Sequence, residues 1–144
     1  MGHVVSQAPR ALVLSEGLSL WGGMDPATGE LIDAHHPQRG AVLTGRVVVM
    51  PSGRGSSSSA SVLAESVRAG TAPVAILLGE PDLILAIGAA VAEELYGVRI
   101  PVLVLAPPQL EAIVDGAPVD LGSTGGPIAN GPSGPRNGGA DGGA

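Results

Sequence analysis

The chain has 144 residues and a formal net charge of -6, and hydrophobic residues make up 44% of it while aromatic residues make up only 1%. All seven basic residues are arginine, which argues against nucleic-acid binding, because that function uses basic patches and stacking aromatic side chains. The lack of lysine and cysteine excludes a Schiff-base or P-loop lysine, a thiol nucleophile and a thiolate-held iron–sulfur cluster on this chain.

The first part of the chain predicts two strands around a loop-rich segment. Residues 11–14 are a short apolar run typical of a strand, and residues 15–33 are rich in glycine and contain the only tryptophan, Trp21. Residues 46–50 are rich in valine and end at Pro51, which predicts the second strand.

A glycine–serine run then leads into a predicted helix over residues 60–69. A serine is expected to cap the start of this helix and Gly70 to end it. Four residues of the segment can share one helical face: Val62, Leu63, Ser66 and Val67.

The second half of the chain alternates between strand and helix. Residues 74–78 and 102–105 are continuous apolar runs that predict strands, and residues 83–96 predict a helix between them. Four apolar residues support that helix by their spacing: Ile84, Ile87, Val91 and Leu95. Continuous apolar strands separated by helices favour a mostly parallel sheet covered on both faces. Residues 109–115 predict one more short helix, and residues 117–121 predict a last strand.

The folding part of the chain is expected to end near Leu121. We therefore predict one domain over residues 1–121, followed by a disordered tail rich in glycine and proline over residues 122–144. The longest apolar run, around residues 83–92, is about half of the ~20 residues that a transmembrane helix needs. The first residues lack the order of a signal peptide. These features predict a soluble, cytoplasmic protein without a membrane contact.

The run from Gly53 to Ser59 is the segment most suited to chemistry. A glycine-rich turn between a strand and a helix leaves the first backbone N–H groups of the helix open to an anion. Gly53 and Gly55 permit close approach of the backbone to a bound anion. Arg54 adds a guanidinium suited to carboxylate or phosphate, and Ser56 and Ser57 add hydroxyls. A serine held at this point can become an alkoxide, because the N–H dipoles favour the anionic form.

Simpler interpretations exist for each of these features. Serine runs are commonly flexible linkers, but this run lies between two strongly apolar elements, where a linker would divide the domain. The G-x-S-x-G pattern of a hydrolase triad is absent. His35 and His36 are neighbours that point different ways, so we expect no metal there, and His36 is expected to hold a loop, touch substrate or lie at the surface.

The order and spacing of several motifs resemble the small, swivelling part of aconitase X. This branch of the aconitase superfamily includes phosphomevalonate dehydratases and cis-3-hydroxyproline dehydratases. The motifs are Leu18-Ser19-Leu20-Trp21-Gly22-Gly23, Asp25-Pro26 with Gly29, His36-Pro37, the run from Pro51 to Ser59, Ala64-Glu65 and Glu94-Leu95-Tyr96-Gly97. The resemblance implies a swivelling β/β/α domain of the α/β class, with a mostly parallel sheet, flanking helices and a loop-rich N-terminal β part.

The same resemblance implies a partner and a set of site residues. A larger aconitase-X-type subunit would hold the substrate cleft and a cysteine-ligated iron–sulfur cluster, so this chain binds no cofactor itself. In aconitase-like enzymes a Gly-x-Gly-Ser-Ser-Arg loop supplies the serine base, which corresponds to Ser56. The chemistry of the loop, rather than the resemblance, makes Arg54, Gly55 and Ser57 the expected substrate-binding residues. Where that loop continues with a substrate-binding arginine, this chain has Ser58, so recognition of a citrate-like substrate does not carry over.

Three functions follow as hypotheses. The first is the small subunit of a heterodimeric dehydratase, inactive alone, that eliminates water from a small hydroxy acid such as cis-3-hydroxy-L-proline or 5-phosphomevalonate. The second is a phosphocarrier-like swivelling domain, which requires a histidine in the loop, whereas no histidine follows His36. The third is a non-catalytic module for anion binding or assembly.

Overall fold

The computed structural model describes residues 8–121, which form four strands and four helices. The strands are β1 (Ala11–Val13), β2 (Val47–Met50), β3 (Ala75–Leu78) and β4 (Val102–Val104). The helices are α1 (Leu20–Gly23), α2 (Ser59–Ala69), α3 (Leu83–Tyr96) and α4 (Pro107–Glu111). The predicted disordered tail lies outside the described residues. No helix between residues 8 and 121 has the length and apolar character needed to cross a membrane.

The four strands form one parallel sheet in the order β1-β2-β3-β4. Strands β2 and β3 lie in the centre and are buried along their whole length. Val, Ile, Leu and Met occupy nearly all of their positions, as expected where both faces of a parallel strand are covered. The predicted α/β class with a mostly parallel sheet and flanking helices is therefore confirmed.

Hydrophobic clusters cover both faces of the sheet. On one face, Leu12, Val48 and Ile76 lie in a cluster with Leu63 of α2 and Leu85 of α3. On the other face, the cluster contains Ala11, Val47, Val49, Ala75, Leu77, Leu105, Ile113 and Val119. Side chains of successive strand residues point to opposite faces, so each strand contributes to both clusters.

The connection from β1 to β2 is loop-rich, as predicted. Helix α1 is a single turn with non-helical backbone at Trp21 and Gly22. Isolated antiparallel bridges join Met24 to Leu31 and Glu30 to Val42. The buried side chains of this connection extend the cluster on the sheet face that α2 and α3 cover: Leu18, Leu20, Met24, Leu31 and Leu43.

Helix α2 confirms the predicted face and end but not the predicted cap. Its buried residues include all four predicted ones, and Gly70 ends it in the left-handed region with φ 79°. Ser58 precedes the helix, yet its hydroxyl makes no capping hydrogen bond. Its backbone is already in the right-handed helical region, whereas capping residues are typically extended.

Helix α3 has the predicted bounds, but its buried face consists of Leu85, Gly88 and Ala92. The helical spacing of the larger apolar residues therefore predicts the helix correctly, but those residues do not form its buried face. A Cβ on Gly88 would lie 2.9 Å from the backbone of Ala60 in α2. The two helices approach closely through small residues, which turns the larger side chains outward.

Of the last two predicted elements, the short helix is present with shifted bounds and the strand is absent. Helix α4 begins at Pro107, earlier than predicted, because proline fits the first helical positions. Residues 117–121 form no named strand, although they pair locally with the β1 region through the antiparallel Arg10–Pro118 bridge. Two hydrogen bonds flank that bridge, from the Ala11 N–H to the Ala117 carbonyl and from the Val119 N–H to the Pro9 carbonyl. Pro118 lies at a position of this pairing where no N–H group is needed, because the hydrogen bonds on either side come from Ala11 and Val119.

Candidate active site at the serine loop

The serine loop, residues 51–58, begins where β2 ends, at the carboxyl edge of the parallel sheet. Ligands of open α/β sheets bind at this edge. The segments that follow β1 and β3 meet the loop there. Leu18 forms a parallel bridge with Gly53, and the Gly79 N–H donates to the Pro51 carbonyl at 3.0 Å.

Glycines hold these segments close together. A Cβ on Gly17 would lie 2.3 Å from the Ser52 carbonyl oxygen, and a Cβ on Gly53 would lie 2.1 Å from the Asp82 Oδ2 atom. A Cβ on Gly55 would meet only the Ile84 side chain, at an ordinary 3.7 Å. Gly53 is therefore packed against its neighbours, whereas Gly55 is exposed.

The Ser56 hydroxyl lies at the start of α2 and accepts a hydrogen bond from the Ser58 backbone N–H at 3.2 Å. The side chain is half-buried. The Ser56 carbonyl accepts from the Ser59 N–H at 2.9 Å, and the Ser57 carbonyl accepts from the Ala60 N–H at 3.3 Å. The local turn thus directs one amide dipole at the Ser56 oxygen.

This arrangement changes which backbone donors are open. The first N–H groups of the helix were expected to face an anion, but those of Ser58, Ser59 and Ala60 donate to acceptors within the loop. Within residues 8–121, the N–H groups of Gly55, Ser56 and Ser57 have no hydrogen-bond acceptor. The donors available to a ligand therefore precede the helix.

Ser59, the last serine of the run, has a structural role. Its side chain is 3% exposed, and its hydroxyl accepts from the Trp21 backbone N–H at 3.1 Å and lies 3.3 Å from the Ser19 Oγ atom. These contacts fasten α1 to the start of α2. The Trp21 side chain remains 60% exposed.

Arg54 is held only weakly. One of its Nη atoms lies 3.5 Å from a Glu16 carboxylate oxygen, and both side chains are well exposed. Exposed ion pairs of this kind contribute about 0–1 kcal/mol. The guanidinium therefore leaves Glu16 at little energetic cost when another carboxylate or a phosphate is offered.

His36 holds the segment that contains Glu16. Its Nδ1 atom accepts from the Gln38 backbone N–H at 3.0 Å, so in the neutral ring the proton lies on Nε2, which donates to the Glu16 carbonyl at 3.1 Å. The ring is buried and His35 is exposed. Of the expected roles for His36, loop holding matches this geometry. The part of the chain between residues 8 and 121 contains no group of three His, Asp or Glu side chains that could hold a metal.

Three neighbours of the loop were missed from sequence: Asp82, Glu16 and Trp21. Asp82 caps α3 by accepting from the Leu85 N–H at 2.9 Å, and a Pro-Asp pair before an apolar run is a signal for such a cap. Its contact with Gly53 depends on tertiary packing, as does the approach of Glu16 to Arg54, and neither has a local sequence signal.

The fold and the loop together define a small α/β domain that presents serines at the carboxyl edge of a parallel sheet, as expected of a swivelling domain. The chain belongs to the aconitase X swivel domain family, which matches residues 5–129. The resemblance drawn from the sequence motifs is thereby confirmed.

Relatives of this chain are named as dehydratases. It is 49% identical over 115 residues to cis-3-hydroxy-L-proline dehydratase of Pseudomonas aeruginosa, covering 73% of this chain and 20% of that protein. It is 49% identical over 77 residues to the phosphomevalonate dehydratase small subunit of Methanopyrus kandleri, covering 54% and 57% of the two chains. The chain thus spans about a fifth of the first relative and just over half of the second.

A solved structure has the same fold. The crystal structure of Thermococcus kodakaraensis aconitase X in its holo-form matches with a TM-score of 0.70 and 28% sequence identity. The match covers 83% of this chain and 85% of the other.

Proposed function

We propose that this chain is the small, swivelling subunit of a two-subunit aconitase-X-type hydro-lyase and is inactive without its large subunit. Membership of the swivel domain family supports this proposal, as do the names of its relatives, of which one is itself a small subunit. The observation that carries the proposal is the Ser56 hydroxyl, which is oriented by the Ser58 N–H at the start of α2.

Ser56 is the base that removes a proton from a substrate carbon. A serine hydroxyl is a weak base unless its anionic form is stabilised. The Ser58 N–H already points at the oxygen, and the positive end of the α2 dipole favours negative charge there. When the carbon-bound proton moves to the Ser56 alkoxide, the electron pair left on carbon forms the new double bond and the hydroxyl on the neighbouring carbon departs as hydroxide.

The residues around Ser56 bind and orient the substrate. The Gly55 and Ser57 N–H groups have no acceptor in the described chain, and Arg54 is free to pair with a carboxylate. Ser58 stands where the aconitase loop has an arginine, so Arg54 takes over the recognition of an anionic group. The substrate is a small hydroxy acid such as cis-3-hydroxy-L-proline or 5-phosphomevalonate, and the longer match to the bacterial hydroxyproline enzyme supports the first of these.

The iron–sulfur cluster belongs to the partner. This chain has no cysteine, and its described residues contain no other metal-binding group. A cluster held by the large subunit would supply the Lewis acid for the departing hydroxyl. This chain's part is to hold the base and the anionic groups of the substrate in position.

Reconstitution tests the proposal. The chain alone should not turn over cis-3-hydroxy-L-proline or 5-phosphomevalonate, whereas the chain combined with the aconitase-X-type large subunit should dehydrate one of them. Substrate binding without turnover in the complete complex would instead indicate a non-catalytic module. Acid-labile phosphate on the protein would indicate a phosphocarrier.

A further inference from the structure

Helix α3 carries a row of exposed apolar side chains, here called the α3 ridge: Leu83, Ile87, Val91 and Leu95. Their exposed fractions are 74%, 47%, 39% and 63%. Spacing of four residues places them side by side along one side of the helix. The outer face of a surface helix is usually polar, and contiguous exposed apolar patches mark interaction sites.

The α3 ridge begins beside the serine loop. Leu83 is the first residue of α3 and follows Asp82, whose carboxylate abuts Gly53. The Ile84 side chain lies near Gly55, since a Cβ added there would be 3.7 Å from it. A protein that covers the serine loop would therefore also contact the start of the ridge, and the ridge would extend that contact along the helix.

We propose that the α3 ridge is the surface on which the large subunit docks. This inference rests on the proposed function, which requires a large subunit to cover the serine loop. Exposed acidic residues lie at both ends of the ridge, namely Glu80 before it and Glu93 and Glu94 near its far end, with Arg99 as the basic residue beyond them. The matching surface of the large subunit is an apolar strip bordered by basic side chains.

A second copy of this chain fits the ridge poorly. Two ridges facing each other would bring their acidic borders together, and each chain has a formal net charge of -6. Like charges set opposite each other disfavour such a pairing.

Segments of the chain outside the described residues also fit poorly. Residues 122–144 contain one large apolar side chain, Ile128, which is too little to cover four. Residues 1–7 lead into β1, at the opposite edge of the sheet from β4. The large subunit remains the occupant that position and charge favour.

The test compares the double variant Ile87→Ser/Val91→Ser with the control Val114→Ser. Val114 is 62% exposed and follows α4, whose neighbouring core lies on the other face of the sheet. The Kd for the large subunit should rise at least about 10-fold in the double variant, because apolar anchors dominate interfaces, and stay unchanged in the control. The kcat at saturating large subunit should stay unchanged, because neither residue touches the serine loop.

Circular dichroism and the Tm confirm that each variant is folded, and Leu95→Ser replaces the double variant if it is not. An unchanged Kd in a folded ridge variant would overturn the docking inference. In that case, turnover by the wild-type complex would still support the proposed function. A complex that binds through the ridge without turnover supports the inference and removes the proposed function.

Two further results would assign the ridge to another occupant and overturn the inference. One is self-association of the wild-type chain that the ridge variant loses. The other is faster hydrogen exchange in α3 after deletion of residues 122–144. Failure of the wild-type chain to bind the large subunit would overturn both proposals.

Discussion

Gly17→Ala tests whether close backbone contact positions the serine loop. The new Cβ would lie 2.3 Å from the Ser52 carbonyl oxygen, where ordinary contact begins near 3.4 Å, so the two segments must separate by about 1 Å. Overpacking of this kind costs about 1–3 kcal/mol, and the reduced freedom of the unfolded chain returns about 0.4–1 kcal/mol. We expect a net loss of about 1–2 kcal/mol.

Thermal denaturation followed by circular dichroism measures this loss. At roughly 4 °C per kcal/mol, the Tm of Gly17→Ala should fall by about 4–8 °C. Gly55→Ala is the matched control for stability, because its Cβ meets only the Ile84 side chain at 3.7 Å. If Gly17→Ala melts at the wild-type temperature, the close approach does not constrain the loop and the reasoning fails.

The remaining predictions concern the two ends of α2 and the exposed Trp21 side chain. Ser59→Ala removes the acceptor of the Trp21 N–H and should cost about 1–3 kcal/mol in urea denaturation, whereas Ser61→Ala, which is exposed, should cost less than about 0.5 kcal/mol. The same loss in both would contradict the structural role of Ser59. The hydrogen bond from Arg68 holds the pKa of Glu65 below its ordinary value. A carboxylate with a lowered pKa stabilises the folded state above that pKa, and this stabilisation is lost as the pH falls through it. Arg68→Ala should therefore raise the Glu65 pKa in an NMR titration and remove this small loss of stability at acid pH. An unmoved pKa would refute the pairing. Trp21 is the only tryptophan and is 60% exposed, so its fluorescence should shift to the blue when the large subunit covers the loop, and an unchanged spectrum would place the partner elsewhere.

Sequence patterns predicted the fold where one physical effect dominated. Strands β2 and β3 are continuous apolar runs with no competing interpretation, and α3 was predicted with its observed bounds. Gly70 ends α2 as predicted because a positive φ suits glycine. These features depend on local composition, which a single sequence contains in full.

The failures occurred where tertiary contact decided the outcome. The inward face of α3 is set by the contact of Gly88 with Ala60, so the larger residues at helical spacing face outward. The last predicted strand is reduced to a short antiparallel pairing around the Arg10–Pro118 bridge, beside β1. Neither effect is visible in periodicity.

The candidate site was predicted in position but not in detail. The motif placed the serine loop between β2 and α2, where the structure has it. The difference between Ser56, which is half-buried in the loop, and Ser59, which is buried beside Trp21, depends on the turn of the loop and on a segment some forty residues earlier. The roles of Ser56, Arg54, Gly55 and Ser57 in catalysis and binding stay predictions.

The most direct test of the central claim is to measure whether the Ser56→Ala variant still removes the substrate's carbon-bound proton. Ser61→Ala is the matched control. Both variants are combined with saturating large subunit and substrate in D₂O, and exchange of the substrate's carbon-bound proton is followed by NMR together with turnover. We expect Ser56→Ala to lose exchange and to slow turnover by about 100- to 10,000-fold, as for a general acid–base group, while Ser61→Ala matches the wild type. Exchange and turnover at the wild-type rate in Ser56→Ala would remove this serine from the mechanism.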